Sequence, residues 1–94
     1  MKYKVCVDDN FHYQDESERY THGEYETAEQ AIRIAKEITD ESLKSLYKKG
    51  MSSEDLYQHY TMMGDDPFII SDDRDCRFSA WNYAKERCDE ICRQ

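Results

Sequence analysis

Cysteine side chains come closest, by type and spacing, to a chemical site in this sequence. Cys76, Cys88 and Cys92 lie close together near the carboxyl end of the chain. Thiolates bind zinc, and they act as nucleophiles or redox groups when their pKa is lowered. One interpretation is therefore a metal- or thiol-dependent protein that uses these three cysteines, with Cys6 or His12 completing a set of four ligands.

The spacing of the same cysteines favours a structural role. Cys88 and Cys92 form a CxxxC pair, and the sequence contains neither a CxxC pair nor a second close pair, whereas structural zinc sites normally use CxxC-type pairs. At about 100° per residue, Cys88 and Cys92 fall on the apolar stripe of a helix together with Trp81. Free cysteine is among the most buried residue types. We therefore predict core thiols and no metal or other cofactor.

Acidic side chains give a second candidate site. Asp8 and Asp9 end the first predicted strand, and three further acids follow the last one, namely Asp72, Asp73 and Asp75. If these strand ends meet, five carboxylates could hold calcium or magnesium. The sequence lacks the alternating ligands and central glycine of a calcium loop. Because Asp is also common in turns, a structural role is the simpler interpretation.

The histidines give the weakest signal for chemistry. His12, His22 and His59 are scattered, and none is four residues from another. Cys6 and His22 on adjacent strands could form the nucleophile and base of a small enzyme. A nucleophile also needs an oxyanion site, and no glycine-rich turn, phosphate loop or dinucleotide fingerprint is present. We therefore predict that the protein is not an enzyme.

Tyrosines and acids of a predicted hairpin suggest a binding surface. The eight tyrosines exceed what a core of this size needs, and aromatic side chains at the surface are typical of protein-binding patches. Neighbouring acids would speed the encounter with a basic protein. Amphipathic packing, with each hydroxyl in water, is the alternative. The residues predicted to bind the partner are Phe11, Tyr13, Glu16, Glu18, Tyr20 and Tyr25.

The net charge of −8, from 21 acids and 13 bases, narrows the classes of partner. An acidic surface repels phosphate, which argues against direct nucleic-acid binding and against anionic membranes; solubility alone would also explain the charge. No apolar run reaches the roughly 18 residues of a membrane span, and the first residues do not resemble a signal peptide. We expect a cytoplasmic protein with free thiols that acts as a small acidic non-catalytic protein-interaction or regulatory module. The sequence does not predict its oligomeric state.

Local patterns predict the elements that position these residues. "YKVCV" alternates as a half-buried strand, "DESE" suits the loop of a hairpin, and "TAEQ" is a capping box. Leu56, Tyr60 and Met63 form the predicted buried face of the second helix. The predicted elements are a strand at 3–7, a hairpin loop at 15–18, a returning strand "RYTHGEYE" at 19–26, a helix at about 28–48, a helix capped by Ser52 or Ser53 and ended by Gly64, a strand at 68–71 and a helix at about 80–93.

Length and element order predict the fold class. Ninety-four residues fit one domain, residues 1–94. The order β-β-α-α-β-α, without internal repeats, predicts an α+β fold. Its small three-stranded sheet would be at least partly antiparallel, with the helices packed on one face.

Two stretches, "YKVCVDDNFHYQDESERY" and "DDPFIISDDRDCRFSAWNYAKERC", resemble a group of small stand-alone bacterial proteins that have no assigned function. The resemblance extends over most of the chain. It implies a bacterial, cytosolic origin and a single complete domain. It implies no activity, ligand or catalytic residue, so no site residue is carried over from it.

Overall fold

Six elements form an α+β fold in the computed structural model, which describes residues 2–9, 20–74 and 76–93, with Asp9 and Tyr20 as backbone only. Their order, β-β-α-α-β-α, confirms the predicted order. The elements are β1 (Tyr3–Asp9), β2 (Tyr20–Tyr25), α1 (Ala28–Leu46), α2 (Ser53–Met63), β3 (Asp65–Ile70) and α3 (Ala80–Cys92).

The three strands form one fully antiparallel sheet in the order β2-β1-β3. Between Val5 and Cys6 the register with β2 shifts, so His22 is left as the extra residue of a bulge. Towards β3 the register of β1 is regular from Lys4 to Asp9. Strand β1 is therefore the continuous centre of the sheet, although it ends in two aspartates that are poor strand formers.

Helix α1 packs on the sheet, and α2 and α3 pack against α1 and against each other. Tyr3 and Val5, on the same face of β1, form one core cluster with Ala31 of α1. A second cluster joins the three helices. Its buried members are Leu43, Leu56, Tyr60, Ala84, Cys88 and Ile91.

Two residues predicted to be buried are exposed. Met63 is 52% exposed and Trp81 is 38% exposed, although both lie at the helical spacing of core residues. Met63 is the last residue of α2, and Trp81 is in the first turn of α3. Helical spacing gives the direction of a side chain around the helix axis, but it does not ensure that another element covers the side chain.

Serine and threonine caps begin the helices where the sequence predicts them. Thr27 Oγ1 accepts a hydrogen bond from the backbone of Gln30 at 3.1 Å. Ser52 and Ser79 cap α2 and α3 in the same way. Helix α1 ends at Leu46 rather than Lys48, because the backbone of Tyr47 is extended, and Tyr47 packs against the helical core cluster.

Strand β3 begins at Asp65, three residues before the predicted Phe68. Helix side chains supply its first partners: the Asp65 N–H donates to Ser42 Oγ at 3.1 Å, and the Tyr60 hydroxyl donates to the Asp65 carbonyl at 2.7 Å. The N–H and the carbonyl of Asp65 therefore point away from β1. Because a strand repeats every two residues, the carbonyl of Pro67 points the same way, and Pro67 has no N–H to leave unpaired. The outer edge of β3 is closed at its start.

Candidate binding groove

The amino end of α3, strand β3 and the middle of α2 enclose a surface groove of about 530 Å³. Four aromatic residues line it: Tyr57 from α2, Phe68 from β3, and Phe78 and Trp81 at the start of α3. Asp66 is the one charged residue among its described lining residues. We call this site the aromatic groove. Aromatic rings around one carboxylate form a surface that suits an amphipathic or cationic group.

The wall formed by Phe78 is fixed by contacts that reach α1. The ring of Phe78 lies 6.1 Å from the ring of Tyr83, centroid to centroid. The Tyr83 hydroxyl donates to Asp40 Oδ1 at 2.9 Å, and the Lys36 ammonium lies 5.4 Å from the centre of the Tyr83 ring. Arg87 Nε donates to the same Asp40 oxygen at 2.9 Å. This network binds α3 to α1 and links the Phe78 wall of the groove to α1 through Tyr83.

The folded protein disfavours the charged form of Asp66. Asp66 lies directly opposite Asp8 in the β1–β3 ladder, and like charges in that position repel. Burial, followed by repulsion from Asp8, raises the pKa of Asp66 to about 6. A cation beside Asp66 would oppose both effects. The electrostatics of the aromatic groove therefore favour a positively charged occupant.

A smaller pocket of about 220 Å³ adjoins the aromatic groove, because Tyr57 lines both. We call it the acidic extension; its lining residues are Ser53, Glu54, Tyr57, Lys85 and Asp89. Asp89 follows Trp81 by eight residues, so it lies about 12 Å further along the axis of α3. Both pockets are lined by residues of α2 and α3, and they share Tyr57.

Most of the predicted partner-binding residues lie outside the described part of the chain. Tyr20 is described as backbone only, in β2 opposite Val7. Tyr25 is half-buried and packs against the core cluster of Tyr3 and Val5. A binding role for this surface stays a prediction. The residues of the set that are not described are Phe11, Tyr13, Glu16 and Glu18.

The cysteines do not come together as one site in the described structure. Cys88 and Cys92 belong to the helical core cluster, whereas Cys76 packs against the Tyr3–Val5 cluster. Burial raises the pKa of Cys88 to about 11, and it also raises the pKa of Cys76 and Cys92. A raised pKa disfavours the thiolate that nucleophiles and metal ligands need. Within the described ranges no group of three or more His, Cys, Asp or Glu residues is arranged to hold a metal ion.

The aspartates at the end of β1 do not meet the described ones after β3, and Asp75 lies outside the described residues. Because β1 and β3 are antiparallel, Asp8 lies opposite Asp66 at the start of β3, while Asp72 and Asp73 follow the other end of that strand. There the Tyr3 hydroxyl donates to Asp73 Oδ2 at 2.6 Å. The pairing of Asp8 with Asp66 is thus a feature that the sequence did not reveal.

Cys6 and His22 do not form a dyad. The Cys6 sulfur is buried and lies 3.9 Å from Thr21 Oγ1, on the sheet face opposite to Val5. His22 is exposed on the bulge and lines a surface pocket with Glu41 of α1. The two side chains therefore lie on opposite faces of the sheet.

The structure thus defines a class: a small α+β domain with a three-stranded antiparallel sheet and an aromatic groove at the junction of β3 and α3. The chain matches no protein-family model, no curated protein and no solved structure. Among the residues that the structure describes, no helix is long and apolar enough to cross a membrane.

Replacing Cys88 tests its assignment as a core thiol. Cys88 is 1% exposed, so Cys88→Ala should lower the free energy of unfolding by about 1 kcal/mol through the small cavity. Cys88→Ser should lower it by about 2 kcal/mol, because a hydroxyl would be buried without an assured partner. Urea unfolding of both variants measures the difference. Equal values for Ala and Ser would show that Cys88 has polar surroundings.

Proposed function

We propose that this protein is a non-catalytic interaction module that binds a basic segment of a partner protein in the aromatic groove. The observation that carries the proposal is the convergence of exposed Trp81 and half-buried Asp66 on one groove. Tryptophan and tyrosine are enriched among the residues that dominate binding energy at protein interfaces. A carboxylate among such rings selects a partner with positive charge.

Net charge supports the same choice of partner. A chain of charge −8 attracts basic proteins over distances of about one Debye length and repels nucleic acids. In the chain, Asp8 and Asp9 lead directly into the predicted hairpin with Glu16 and Glu18. Since Asp8 lies beside Asp66, this acidic segment starts next to the groove. Its predicted part is to steer a basic partner towards the aromatic groove.

One feature of the groove opposes a cation. The amino end of α3 carries a partial positive charge of about half an elementary charge. Ser79 Oγ accepts the N–H of Asn82 at 3.3 Å, which occupies one of the free donors there. Ionised Asp66 carries a full negative charge, which exceeds the partial positive charge of the helix end. The balance therefore still favours a basic occupant.

A cytoplasmic location is part of the proposal. The four cysteines are all free, which suits a reducing compartment. The partner would then be a cytoplasmic protein with an accessible segment rich in lysine or arginine.

Binding of a labelled peptide tests this proposal. The probe is a fluorescein-labelled alanine peptide with two arginines separated by three residues, and its neutral twin carries citrulline in place of arginine. We expect saturable binding of the arginine peptide by fluorescence anisotropy, and binding at least about tenfold weaker for the citrulline peptide, equivalent to about 1.4 kcal/mol. Trp81, the one tryptophan of the chain, should change its emission in the same titration.

Variants of exposed apolar residues locate the binding site. Trp81→Ala should weaken binding by about thirtyfold, which corresponds to a hot-spot loss of about 2 kcal/mol. The matched control is Met62→Ala, because Met62 is 59% exposed and does not line the groove. Circular dichroism and melting curves check that both variants fold. Equal binding by the citrulline peptide, or unchanged binding by Trp81→Ala, would contradict the proposal.

A further inference from the structure

We infer, as a step that rests on the proposed function, that the groove recognises an extended segment with two basic side chains four residues apart. The first would lie in the aromatic groove at Asp66, and the second in the acidic extension between Glu54 and Asp89. The ligand class is thus a two-point basic motif with small or apolar residues between the charges.

The near site is suited to a guanidinium or ammonium group. Asp66 follows the closed start of β3, and Phe68 lies two residues further on the same face of that strand. Trp81 lines the same groove from α3, and a cation that contacts a tryptophan ring gains further attraction. Asp8, opposite Asp66 in the ladder, adds negative charge behind it. A long basic side chain can lie along the rings and place its charge at Asp66.

The far site has a mixed charge with a negative balance. Glu54 lies in the first turn of α2, and Asp89 is near the end of α3. Lys85 lines the same pocket and opposes a second cation. Two carboxylates and one ammonium leave a net charge of −1 there. The pocket of about 220 Å³ is of a size for one side chain and too small for a helix about 10 Å wide.

Trp81 lines the near site and Asp89 lines the far site, and their separation along α3 is the basis for the proposed spacing of the motif. Trp81 and Asp89 are separated by about 12 Å along α3, and an extended chain advances about 3.3 Å per residue. Side chains on one face of an extended segment therefore recur at about 6.6, 13 and 20 Å, and a spacing of four residues fits best. The outer edge of β3 cannot extend the sheet at Asp65 and Pro67. The segment is therefore held by its side chains rather than by a strand ladder.

Charge-matched peptides test the spacing. Three labelled peptides of identical composition carry two arginines at a spacing of two, four or six residues. We expect the four-residue spacing to bind at least about fivefold tighter than the other two. Equal binding of all three, still abolished by Trp81→Ala, would overturn the two-point motif and leave the proposed function standing. No arginine-dependent binding by any of the three would overturn both.

Charge variants assign each arm of the motif. Asp66→Asn should weaken binding of the peptide with the four-residue arginine spacing by about tenfold. The double variant Glu54→Gln with Asp89→Asn should weaken it by about fivefold. Lys85→Gln should strengthen binding of the same peptide two- to threefold, a change that no loss of folding would produce. The control is Glu29→Gln, an exposed acid about 20 Å along α1 from Ser42, which contacts β3. If Glu29→Gln weakens binding as much as Asp66→Asn, the effect is general charge and the near site is wrong.

Discussion

Replacing Gly64 with alanine should lower the free energy of unfolding by about 3 kcal/mol, at the upper end of ordinary overpacking. A Cβ atom at Gly64 would overlap Cδ1 of Tyr60 and lie 2.9 Å from Ser42 Oγ. Neither neighbour is free to move. Tyr60 is fully buried and its hydroxyl is bonded to the carbonyl of Asp65 at 2.7 Å, and Ser42 Oγ accepts the Asp65 N–H.

Gly50→Ala is the matched control. Gly50 has a φ of 89°, but a Cβ atom added there would meet no other atom within 4 Å. Its substitution should therefore lower the free energy of unfolding by only about 1 kcal/mol, the conformational penalty of a left-handed backbone. Denaturant unfolding measures both variants. Should Gly64→Ala lose no more than Gly50→Ala, the Tyr60 ring can move aside, and the junction of α2 with β3 is not rigid.

The junction at Gly64 illustrates what sequence patterns predict and what they miss. Local signals predict helix starts correctly, because a cap bonds only a few residues ahead, as Thr27 does with Gln30. The start of β3 depends instead on contacts between distant parts of the chain. Asp65 is held in the strand by Ser42, twenty-three residues earlier, and no local propensity contains that information. Because Asp65, Asp66 and Pro67 are poor strand formers, the sequence predicts the start of β3 three residues too late.

Sequence patterns also do not reveal the aromatic groove. Helical periodicity places Trp81 on the same stripe as Ala84 and Cys88, and it predicts burial for all three. Only Ala84 and Cys88 are buried, because periodicity gives the direction of a side chain but not which part of the stripe another element covers. Asp66 lies before the predicted strand at 68–71, so the sequence pattern provides no reason to place it in the sheet. An acid two residues before an aromatic in a strand, with a tryptophan in the first turn of the next helix, is the signal that could have located the site.

Replacing Asp66 with asparagine should raise the free energy of unfolding at pH 7 by about 2 kcal/mol. Burial and repulsion from Asp8 raise the pKa of Asp66 from 3.8 to about 6, which means that the folded protein disfavours the carboxylate. A shift of this size corresponds to about 3 kcal/mol, and partial solvent access reduces the net effect. Asparagine keeps the shape of the side chain and removes the charge.

The sign of the effect reverses the usual acid sensitivity of proteins. A carboxyl whose pKa is higher in the folded state loses stability as the pH rises through about 6, and it regains that stability as the pH falls towards 4. The advantage of Asp66→Asn over the wild type should therefore be full at pH 7 and nearly absent at pH 4. Urea unfolding of both proteins across this range measures it. An advantage that persists at pH 4 would mean that the charge of Asp66 is not its cause.

Asp8→Asn separates the two contributions to the pKa of Asp66. It removes the facing charge but leaves Asp66 as buried as before, and burial is the larger cause. The pKa of Asp66, followed by NMR titration, should fall only part of the way towards 3.8. Other titratable groups near Asp66 are the neighbouring Asp65 and the hydroxyls of Tyr57 and Tyr60. Burial raises the pKa of Tyr60 above its usual value, so Tyr60 does not titrate between pH 4 and 7.

Asp66→Asn should change stability and binding affinity in opposite directions. Asp66→Asn should make the free protein more stable and its complex with an arginine peptide weaker, because the cation offsets the burial and repulsion that make the carboxylate unfavourable. A residue that only fills space would change both quantities in the same direction or leave binding unaltered. Wild-type binding should also weaken between pH 7 and pH 5, as Asp66 takes up a proton, whereas the residual binding of Asp66→Asn should depend less on pH. If the two proteins lose affinity in parallel over this range, the pH dependence comes from other acids, and Asp66 is not the anchor of the basic side chain.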